Sequence, residues 1–429
     1  MNHFVSLLLG SDRSIERRNV SWNMAGSFIY ALASMLLTIA AVQAAGEDEG
    51  GIFAFAFSTF GQHMFMVAYY GMRPFHITDI GRRYSFGEYL ALRKRTCIAA
   101  VLICLLYLAY ELAGGTYTPH KCIIIFLMVL YKVIDGFADV YESEFQRDGR
   151  LYLTGKSLTF RTLLSVAAFL GVLIPGRQLV PACLAAVAAQ AAGVVLFDAM
   201  VIRYLPRVDW KKREEKPLRL AIDNRALFLS AILDFYVFSA ARYAIDQNMA
   251  DKYQALFAAI FMPTNVINLV AGFVIRPYVT ILSGDWRAGR TDSFLQVVRR
   301  ISAIIAALTV LAAGCAWFLG IPVLSLLYPR LAYMLEESRV PLLLIILGGA
   351  CNAYINLFYY TLVIMDRKPV IFDGYVVAAV AALFLSPAAV RRFGIYGGAL
   401  SYLVLMSFLA SLFMGMTMYY YRKRRRENA

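Results

Sequence analysis

Residues 179–202 read LVPACLAAVAAQAAGVVLFDAMVI, and residues 203–217 continue as RYLPRVDWKKREEKP. The first segment is apolar over the roughly 20 residues that a helix needs to cross a hydrocarbon core. The second segment is rich in Lys and Arg, which are concentrated on the cytoplasmic side of membrane proteins. This stretch therefore predicts a membrane-spanning helix that ends in the cytoplasm.

The whole chain has the composition of a membrane protein. Of its 429 residues, 60% are hydrophobic and 16% are charged. A soluble domain carries about 25% charged residues, so this chain has too few charges to cover a surface in water. The net charge of +14 would indicate nucleic acid on a soluble protein. Here the position of the charges matters more than their sum, and we expect no nucleic-acid partner.

Apolar segments like 179–202 recur along the chain and predict twelve membrane-spanning helices. In lipid the backbone must satisfy its own hydrogen bonds, and long continuous apolar runs do so as helices. A β-barrel would instead show short segments of alternating polarity. The predicted spans are 21–43, 51–71, 96–113, 122–141, 158–175, 179–202, 225–246, 253–275, 301–320, 339–365, 369–390 and 394–421.

The distribution of Lys and Arg orients these spans. With the N-terminus inside, and with cations in the first turn of a span counted with the adjoining segment, 33 of the 42 Lys and Arg residues fall in cytoplasmic segments and 7 fall outside. Lys132 and Arg242 then lie within spans. This asymmetry predicts that both termini are cytoplasmic. We expect a multi-pass protein of the cytoplasmic (inner) membrane.

The two halves of the chain share a weak internal repeat. Arg73-Pro74 follows the second predicted helix, and Arg276-Pro277 follows the eighth, 203 positions later. The same offset aligns the starts of the first and seventh helices, and of the third and ninth. Because six helices are an even number, the two copies are parallel, an arrangement typical of transporters.

The predicted fold class is therefore an all-α polytopic membrane protein with 12 transmembrane helices in two parallel six-helix lobes. Residues 1–202 form the N-terminal lobe, and residues 203–224 form a charge-rich cytoplasmic linker. Residues 225–429 form the C-terminal lobe with its basic cytoplasmic tail, Arg422–Arg426.

Signatures of enzymes and metal sites are missing from the sequence. Gly155-Lys156-Ser157 ends like a phosphate-binding loop, but Arg150 stands where the first glycine should be, and no strand precedes it. The four histidines are scattered, without the spacing of metal ligands, and the six cysteines form no C-x-x-C pair. We expect no enzyme activity, no cofactor and no metal site.

Charged residues inside the spans require a reason, because each costs at least about 2.5 kcal/mol to insert. Helix 4 carries Lys132, Asp135 and Asp139, whose spacing places them on one helical face. Helix 7 carries Asp234, Arg242 and Asp246. Either Lys132–Asp135 and Arg242–Asp246 neutralise each other and hold helices together, or these residues line a path for a substrate or ion.

Three stretches of the sequence resemble a known family. The first is YYGMRP at 69–74 with TDI at 78–80, the second is ESEFQRDGRL at 142–151, and the third is ARYAID at 241–246, followed by IFMP at 260–263 and Arg276-Pro277. With the six-plus-six layout, they resemble the polysaccharide transporters (Wzx-type flippases) of the multidrug/oligosaccharidyl-lipid/polysaccharide exporter superfamily.

The resemblance implies two helical lobes around a cationic cavity that opens alternately to either side. It implies undecaprenyl-diphosphate-linked oligosaccharide as the substrate, with membrane lipids, polysaccharide polymerase and glycosyltransferases as partners. Arg242 would then face the cavity and meet the diphosphate or an acidic sugar.

The candidate residues follow from the buried charges, the repeat and the resemblance. Positive-inside topology alone would also explain Arg73 and Arg276, which are kept for their repeat-related positions. The substrate-binding candidates are Arg242, Lys132, Arg73, Arg276 and Tyr243. The ion-coupling candidates are Asp135, Asp139, Asp234 and Asp246.

Three other functions stay open at this point. Drug/cation antiporters of the same superfamily also have twelve helices, and acidic cavity walls would favour that reading. A membrane glycan polymerase or transferase would need catalytic carboxylates or a large external loop, but the longest external segment, 321–338, is short and mostly apolar. A scaffold without transport activity is disfavoured by the charges within the spans.

Overall fold

The computed structural model describes residues 8–10, 14–79, 81–206, 208–211 and 216–427. This part of the chain is built from helices and contains no strand. A few helical positions have side chains outside the description, namely Lys216, Asn224, Ala226, Leu227, Leu269, Val270, Phe273, Arg276, Pro277, Lys368 and Glu427. The chain forms two compact units, Met1–Ile232 and Leu233–Ala429.

Among the residues that the structure describes, the N-terminal unit contains nine helices of three or more residues and the beginning of a tenth. Single segments of π-helix, Ala56–Phe60 and Val194–Ala199, join α2 to α3 and α8 to α9. The helices are α1 (Ile15–Ala45), α2 (Glu47–Phe55), α3 (Gly61–Tyr69), α4 (Met72–Thr78), α5 (Phe86–Ala113), α6 (Pro119–Arg147), α7 (Leu151–Gly176), α8 (Leu179–Gly193), α9 (Met200–Ile202) and α10 (Lys216–Asn248).

The C-terminal unit begins within α10 and contains longer helices. A π-helical segment, Ala316–Gly320, joins α12 to α13. The helices are α11 (Lys252–Arg287), α12 (Thr291–Cys315), α13 (Ile321–Leu327), α14 (Ala332–Leu335), α15 (Arg339–Ile364) and α16 (Lys368–Glu427). The last helix changes direction at Gly394, whose φ of 57° lies in the region that favours glycine.

The described helices account for the twelve predicted membrane crossings. Nine helical stretches are long and apolar enough to span a bilayer, and one of them is the 58-residue stretch Pro369–Arg426. That stretch is long enough to cross twice, with its change of direction at Gly394. The α6 and α11 helices, of 29 and 36 residues, supply the remaining two crossings.

Helix boundaries differ from the predicted spans, mainly because helices continue beyond their apolar parts. The first helix begins at Ile15, and the predicted linker 203–224 is helical from Lys216 onward. Hydropathy marks only the part of a helix that faces lipid, whereas the helical backbone extends into the polar region wherever its hydrogen bonds persist. The predicted loop between the last two spans is reduced to the bend at Gly394.

The α1 and α7 helices of the N-terminal unit approach each other closely at two glycines. A Cβ added at Gly155 would lie 2.3 Å from the carbonyl carbon of Trp22, and one added at Gly26 would lie 2.7 Å from the Gly155 carbonyl oxygen. Small residues allow membrane helices to approach at this distance. Gly155, at the centre of the rejected phosphate-loop motif, therefore lies in a helix contact.

Candidate functional site

The α6 helix buries three carboxylates on one face. Asp135, Asp139 and Glu142 are four and three residues apart, so their side chains stack along the same side of the helix. All three are at most 7% exposed. A carboxylate in this environment needs a cation or several hydrogen bonds to remain charged.

Arg161 on α7 bridges three carboxylates and is 1% exposed. Its Nη2 lies 2.7 Å from Oδ1 of Asp135 and 2.9 Å from Oε1 of Glu142. Its Nη1 lies 3.0 Å from Oδ2 of Asp198, on the π-helical segment that follows α8. The planar guanidinium can serve several acceptors at once, which a lysine cannot do in the same geometry.

Two further arginines share Asp139. Arg73 on α4 places Nη1 2.7 Å from Oδ1, and Arg93 on α5 places Nη2 2.7 Å from Oδ2. Arg93 is fully buried and also donates to the carbonyl oxygen of Ala68 at 2.7 Å. Arg73 reaches Oε2 of Glu142 at 3.3 Å, so the two groups of ion pairs form one network.

Lys132 joins this network through a tyrosine. Its Nζ donates to the Tyr30 hydroxyl at 3.0 Å, and that hydroxyl donates to Oδ2 of Asp135 at 3.1 Å. The ammonium group also lies 3.9 Å from the centre of the Phe57 ring. The direct Lys132–Asp135 ion pair that the sequence offered as one alternative is therefore wrong. Tyr30 on α1 separates the two groups, and Asp135 takes Arg161 as its ion partner.

We call this network the central cluster. Its charged members are Arg73, Arg93, Lys132, Arg161, Asp135, Asp139, Glu142 and Asp198. Four cations match four carboxylates, so the cluster is neutral when all are ionised. It unites the predicted residues Arg73, Lys132, Asp135 and Asp139.

Sequence reasoning missed Arg93 and Arg161 as members of this cluster. Arg93 precedes the predicted third span, and Arg161 was counted as cytoplasmic although it lies inside the predicted span 158–175. The position of Arg161 inside a predicted span could have identified it as a member of the cluster, because an arginine inside a span needs a buried partner. Glu142 was assigned to a loop because the predicted span ends at 141. In the structure α6 continues to Arg147, so Glu142 lies on this helix.

A second polar group lies where α4, α5 and the end of α6 meet. His76 Nε2 is 2.8 Å from Oε2 of Glu144, and the Arg147 guanidinium lies 2.6 Å from the same oxygen. The Tyr89 ring stacks on the His76 ring with centroids 3.7 Å apart. Tyr89 also donates its hydroxyl to Asp79 at 3.1 Å. These contacts hold the segment after α4 against α6.

The C-terminal unit buries Arg242 against an aromatic side chain. Arg242 on α10 is 8% exposed, and its guanidinium carbon lies 4.3 Å from the centre of the Phe261 ring. Asp234, two turns earlier, is exposed and lies near the Tyr375 hydroxyl. A guanidinium over an aromatic face gains about 2 kcal/mol or more when both are desolvated.

The remaining predicted residues are placed separately. The Tyr243 ring lies 6.0 Å from the Tyr236 ring, and Asp246 is 5% exposed. Arg276 lies on α11, but its side chain is outside the described residues. Among the described residues, no group of three or more His, Cys, Asp or Glu side chains is arranged to hold a metal ion.

No family model matches the sequence, and no curated protein matches it. Solved structures do. A multidrug resistance MATE family transporter of the MOP superfamily, in its inward-facing conformation, aligns with a TM-score of 0.63 at 12% identity, over 94% of this chain and 96% of that one. The chain has the fold of the MATE transporters. The MOP superfamily is also the one to which the sequence resemblance points.

Other MATE structures align over nearly the whole chain. A mutant of the Vibrio cholerae transporter VcmN gives a TM-score of 0.62 at 14% identity, covering 96% of this chain and 98% of its own. The outward-facing conformation of a multidrug resistance MATE family transporter gives 0.50 at 14% identity, covering 99% of both chains. These matches confirm the predicted fold class of twelve transmembrane helices in two lobes.

Proposed function

We propose that this protein is a flippase that carries an anionic lipid-linked oligosaccharide outward across the cytoplasmic membrane by alternating access. The observation that carries the proposal is the charge balance of the central cluster. All four of its carboxylates lie within 3.0 Å of an arginine nitrogen. A site for a cationic drug needs carboxylates that exceed the cations around them, and this cluster has no such excess.

Arg242 supplies positive charge in the C-terminal unit. Its guanidinium is buried within a membrane-spanning helix, six residues before the end of that helix at Asn248, and stacks on Phe261. A charge in this position is expensive to retain, and intramembrane ionisable residues usually mark a path for substrate or ions. We assign Arg242, with Tyr243 beside it in sequence, to recognition of the diphosphate or an acidic sugar.

The membrane potential favours export of an anion. With the cytoplasm negative, moving one negative charge outward releases about 2.3 kcal/mol per 100 mV. A diphosphate headgroup would therefore be driven in the proposed direction, provided that the protein's own cations return without it. Asp135, Asp139, Asp234 and Asp246 are the proposed positions at which a proton or sodium ion could couple to this cycle.

A drug/cation antiporter is the competing proposal. The observation in its favour is that the solved structures with this fold are multidrug resistance transporters. Their identity to this chain is 12% and 14%, which establishes a common fold and leaves the substrate to be determined by experiment.

Depletion of the protein in its native host separates the two proposals. The flippase predicts that one lipid-linked oligosaccharide accumulates on the cytoplasmic leaflet, detected by extraction and mass spectrometry with a leaflet-restricted label. Complementation with wild-type protein should clear the pool. Complementation with Arg330→Gln, at an exposed position, should clear it equally well.

A different outcome of the same depletion experiment would reject the flippase proposal. Unchanged lipid-linked pools, together with increased sensitivity to cationic drugs, would reject the flippase and support the antiporter. The orientation is tested separately by fusing a reporter that is active only in the cytoplasm to the C-terminus, where we expect full activity.

A further inference from the structure

The end of α16 carries an unusual sequence. Residues 418–426 read MYYYRKRRR, three tyrosines followed at once by five basic residues. Tyrosines concentrate where a membrane helix meets the headgroup layer, and Lys and Arg concentrate just beyond it on the cytoplasmic side. This helix therefore leaves the bilayer at about Tyr421.

The helical period divides the five cations between two faces. Arg422, Arg425 and Arg426 share one face and, with Arg299 of α12, line a cavity of about 500 Å³. Volumes of this size are typical of sites for small ligands or headgroups. Four guanidinium groups thus surround one concave space in the C-terminal unit.

Of the other two cations, Arg424 fastens the tail in place, together with Arg367 from outside the tail. The guanidinium of Arg424 lies 4.7 Å from the Trp286 ring, and the guanidinium of Arg367 lies 4.4 Å from the Tyr420 ring. These contacts join the end of α16 to α11 and to the segment between α15 and α16. The arginines around the cavity are thereby held on a fixed helix.

The cavity retains a positive charge. Asp292 approaches its rim, where it accepts a hydrogen bond from the Tyr421 hydroxyl at 3.4 Å and lies 3.7 Å from Arg425. One carboxylate offsets one of the four cations. Among the described side chains, Arg299 and Arg422 have no carboxylate within ion-pair distance.

The cavity also has an apolar side. Leu295 and Met418 belong to its lining, together with the ring of Tyr421. A soluble anion would gain nothing from these groups, whereas the glycerol and first methylenes of a phospholipid would pack against them. The position of Tyr421 at headgroup depth favours the same source.

We propose that this cavity is a binding site for the phosphate of an anionic phospholipid from the leaflet at the C-terminal end of α16. The site is independent of which substrate the protein transports. Basic pockets beside membrane helices bind anionic headgroups because several cations converge on one phosphate. The tail then serves as a lipid-sensing element of the C-terminal unit.

The test uses the purified full-length protein in a neutral detergent. Phosphatidylglycerol is titrated, and binding is followed by native mass spectrometry, with phosphatidylcholine and inorganic pyrophosphate in parallel. We expect wild type to bind phosphatidylglycerol most tightly. In Arg299→Gln/Arg422→Gln, the Kd should rise about 30-fold, since each cation near a membrane surface contributes about 1 kcal/mol.

The matched control is Arg330→Gln/Arg392→Gln, which removes the same charge at two exposed positions away from the cavity. Its Kd should change by less than about twofold, because distant exposed charges are screened. Arg299→Lys/Arg422→Lys should retain most binding and shows that the site tolerates substitution. Equal weakening by the two glutamine pairs, or equal affinity for phosphatidylcholine, would overturn the site. Equal affinity for pyrophosphate would overturn its assignment to lipid.

Discussion

The two units place the charged residues of their membrane-spanning helices in different surroundings. In the N-terminal unit, Arg161 and Asp139 each contact oppositely charged groups from more than one segment, and the central cluster is neutral overall. In the C-terminal unit, the buried Arg242 stacks on Phe261, whereas Asp234 is exposed near the Tyr375 hydroxyl. Charged residues within the predicted spans therefore form one buried ion network in the N-terminal unit, whereas in the C-terminal unit one is stacked on an aromatic ring and another is exposed.

The segments around Arg73 and Arg276, which the internal repeat relates, differ in backbone conformation. Before Arg73, the backbone enters the left-handed region at Tyr70 and Gly71, with φ of 56° and 59°, so a new helix starts at Met72. That turn brings Arg73 to Asp139. Around Arg276 the α11 helix runs without interruption from Lys252 to Arg287. The shared Arg-Pro pair thus has a different local conformation in each half of the chain.

The largest expected effect comes from Arg161→Ala. The substitution would strand Asp135, Glu142 and Asp198 around a space without a cation, and breaking a buried pair costs about 3–5 kcal/mol. We expect a large fall in Tm and in the amount of folded protein in the membrane, measured by size-exclusion chromatography of a fluorescent fusion. Arg177→Ala, at the exposed end of the same helix, should behave as wild type. Normal stability of Arg161→Ala would contradict the interpretation of the cluster as one network.

A pair of aspartate substitutions compares the two units directly. Asp139→Asn removes the charge shared by Arg73 and Arg93, and should cost about 2–3 kcal/mol, the value of hydrogen bonds to a charged group. Asp234→Asn changes an exposed carboxylate and should cost less than about 1 kcal/mol. The measurement is thermal unfolding of both variants in one detergent. Equal losses of stability in the two variants would contradict the conclusion that Asp139 belongs to a stabilising network and Asp234 does not.

Arg242 should matter for transport more than for stability. Arg242→Ala is expected to insert and fold but to lose at least about tenfold in transport, equivalent to about 1.4 kcal/mol. Arg242→Lys should keep part of the activity, because it retains the charge but not the planar stacking on Phe261. The assay is clearance of the accumulated lipid-linked oligosaccharide. Normal transport by Arg242→Ala would remove this residue from the substrate path.

A small effect is expected for Tyr30→Phe. It deletes the hydroxyl that connects Lys132 to Asp135, and a single hydrogen bond contributes about 1 kcal/mol. Tm should fall slightly, while Tyr110→Phe, on an exposed ring, should leave it unchanged. The exchange Lys132→Asp/Asp135→Lys should not restore function, because a lysine at position 135 would face Arg161. Rescue by that exchange would show that the two residues pair directly.

Part of the candidate site was readable from sequence. Lys132, Asp135 and Asp139 stand inside an apolar segment at helical spacing, and this alone marks α6 as unusual. Their partners were not readable, since Arg73, Arg93 and Arg161 come from three other helices. Partner choice depends on how helices are rotated and how closely they pack, and neither quantity is encoded in hydropathy.

By itself, the sequence determined the class of protein, the number of crossings and their alternation, because the bilayer imposes a fixed length and a helical backbone on each apolar run. Only the tertiary structure decided which charges compensate each other. It placed Tyr30 between Lys132 and Asp135, and it brought Arg299 to the basic face of α16. Ion pairs form over about 3 Å between residues far apart in the chain, so their selection requires the packed helices.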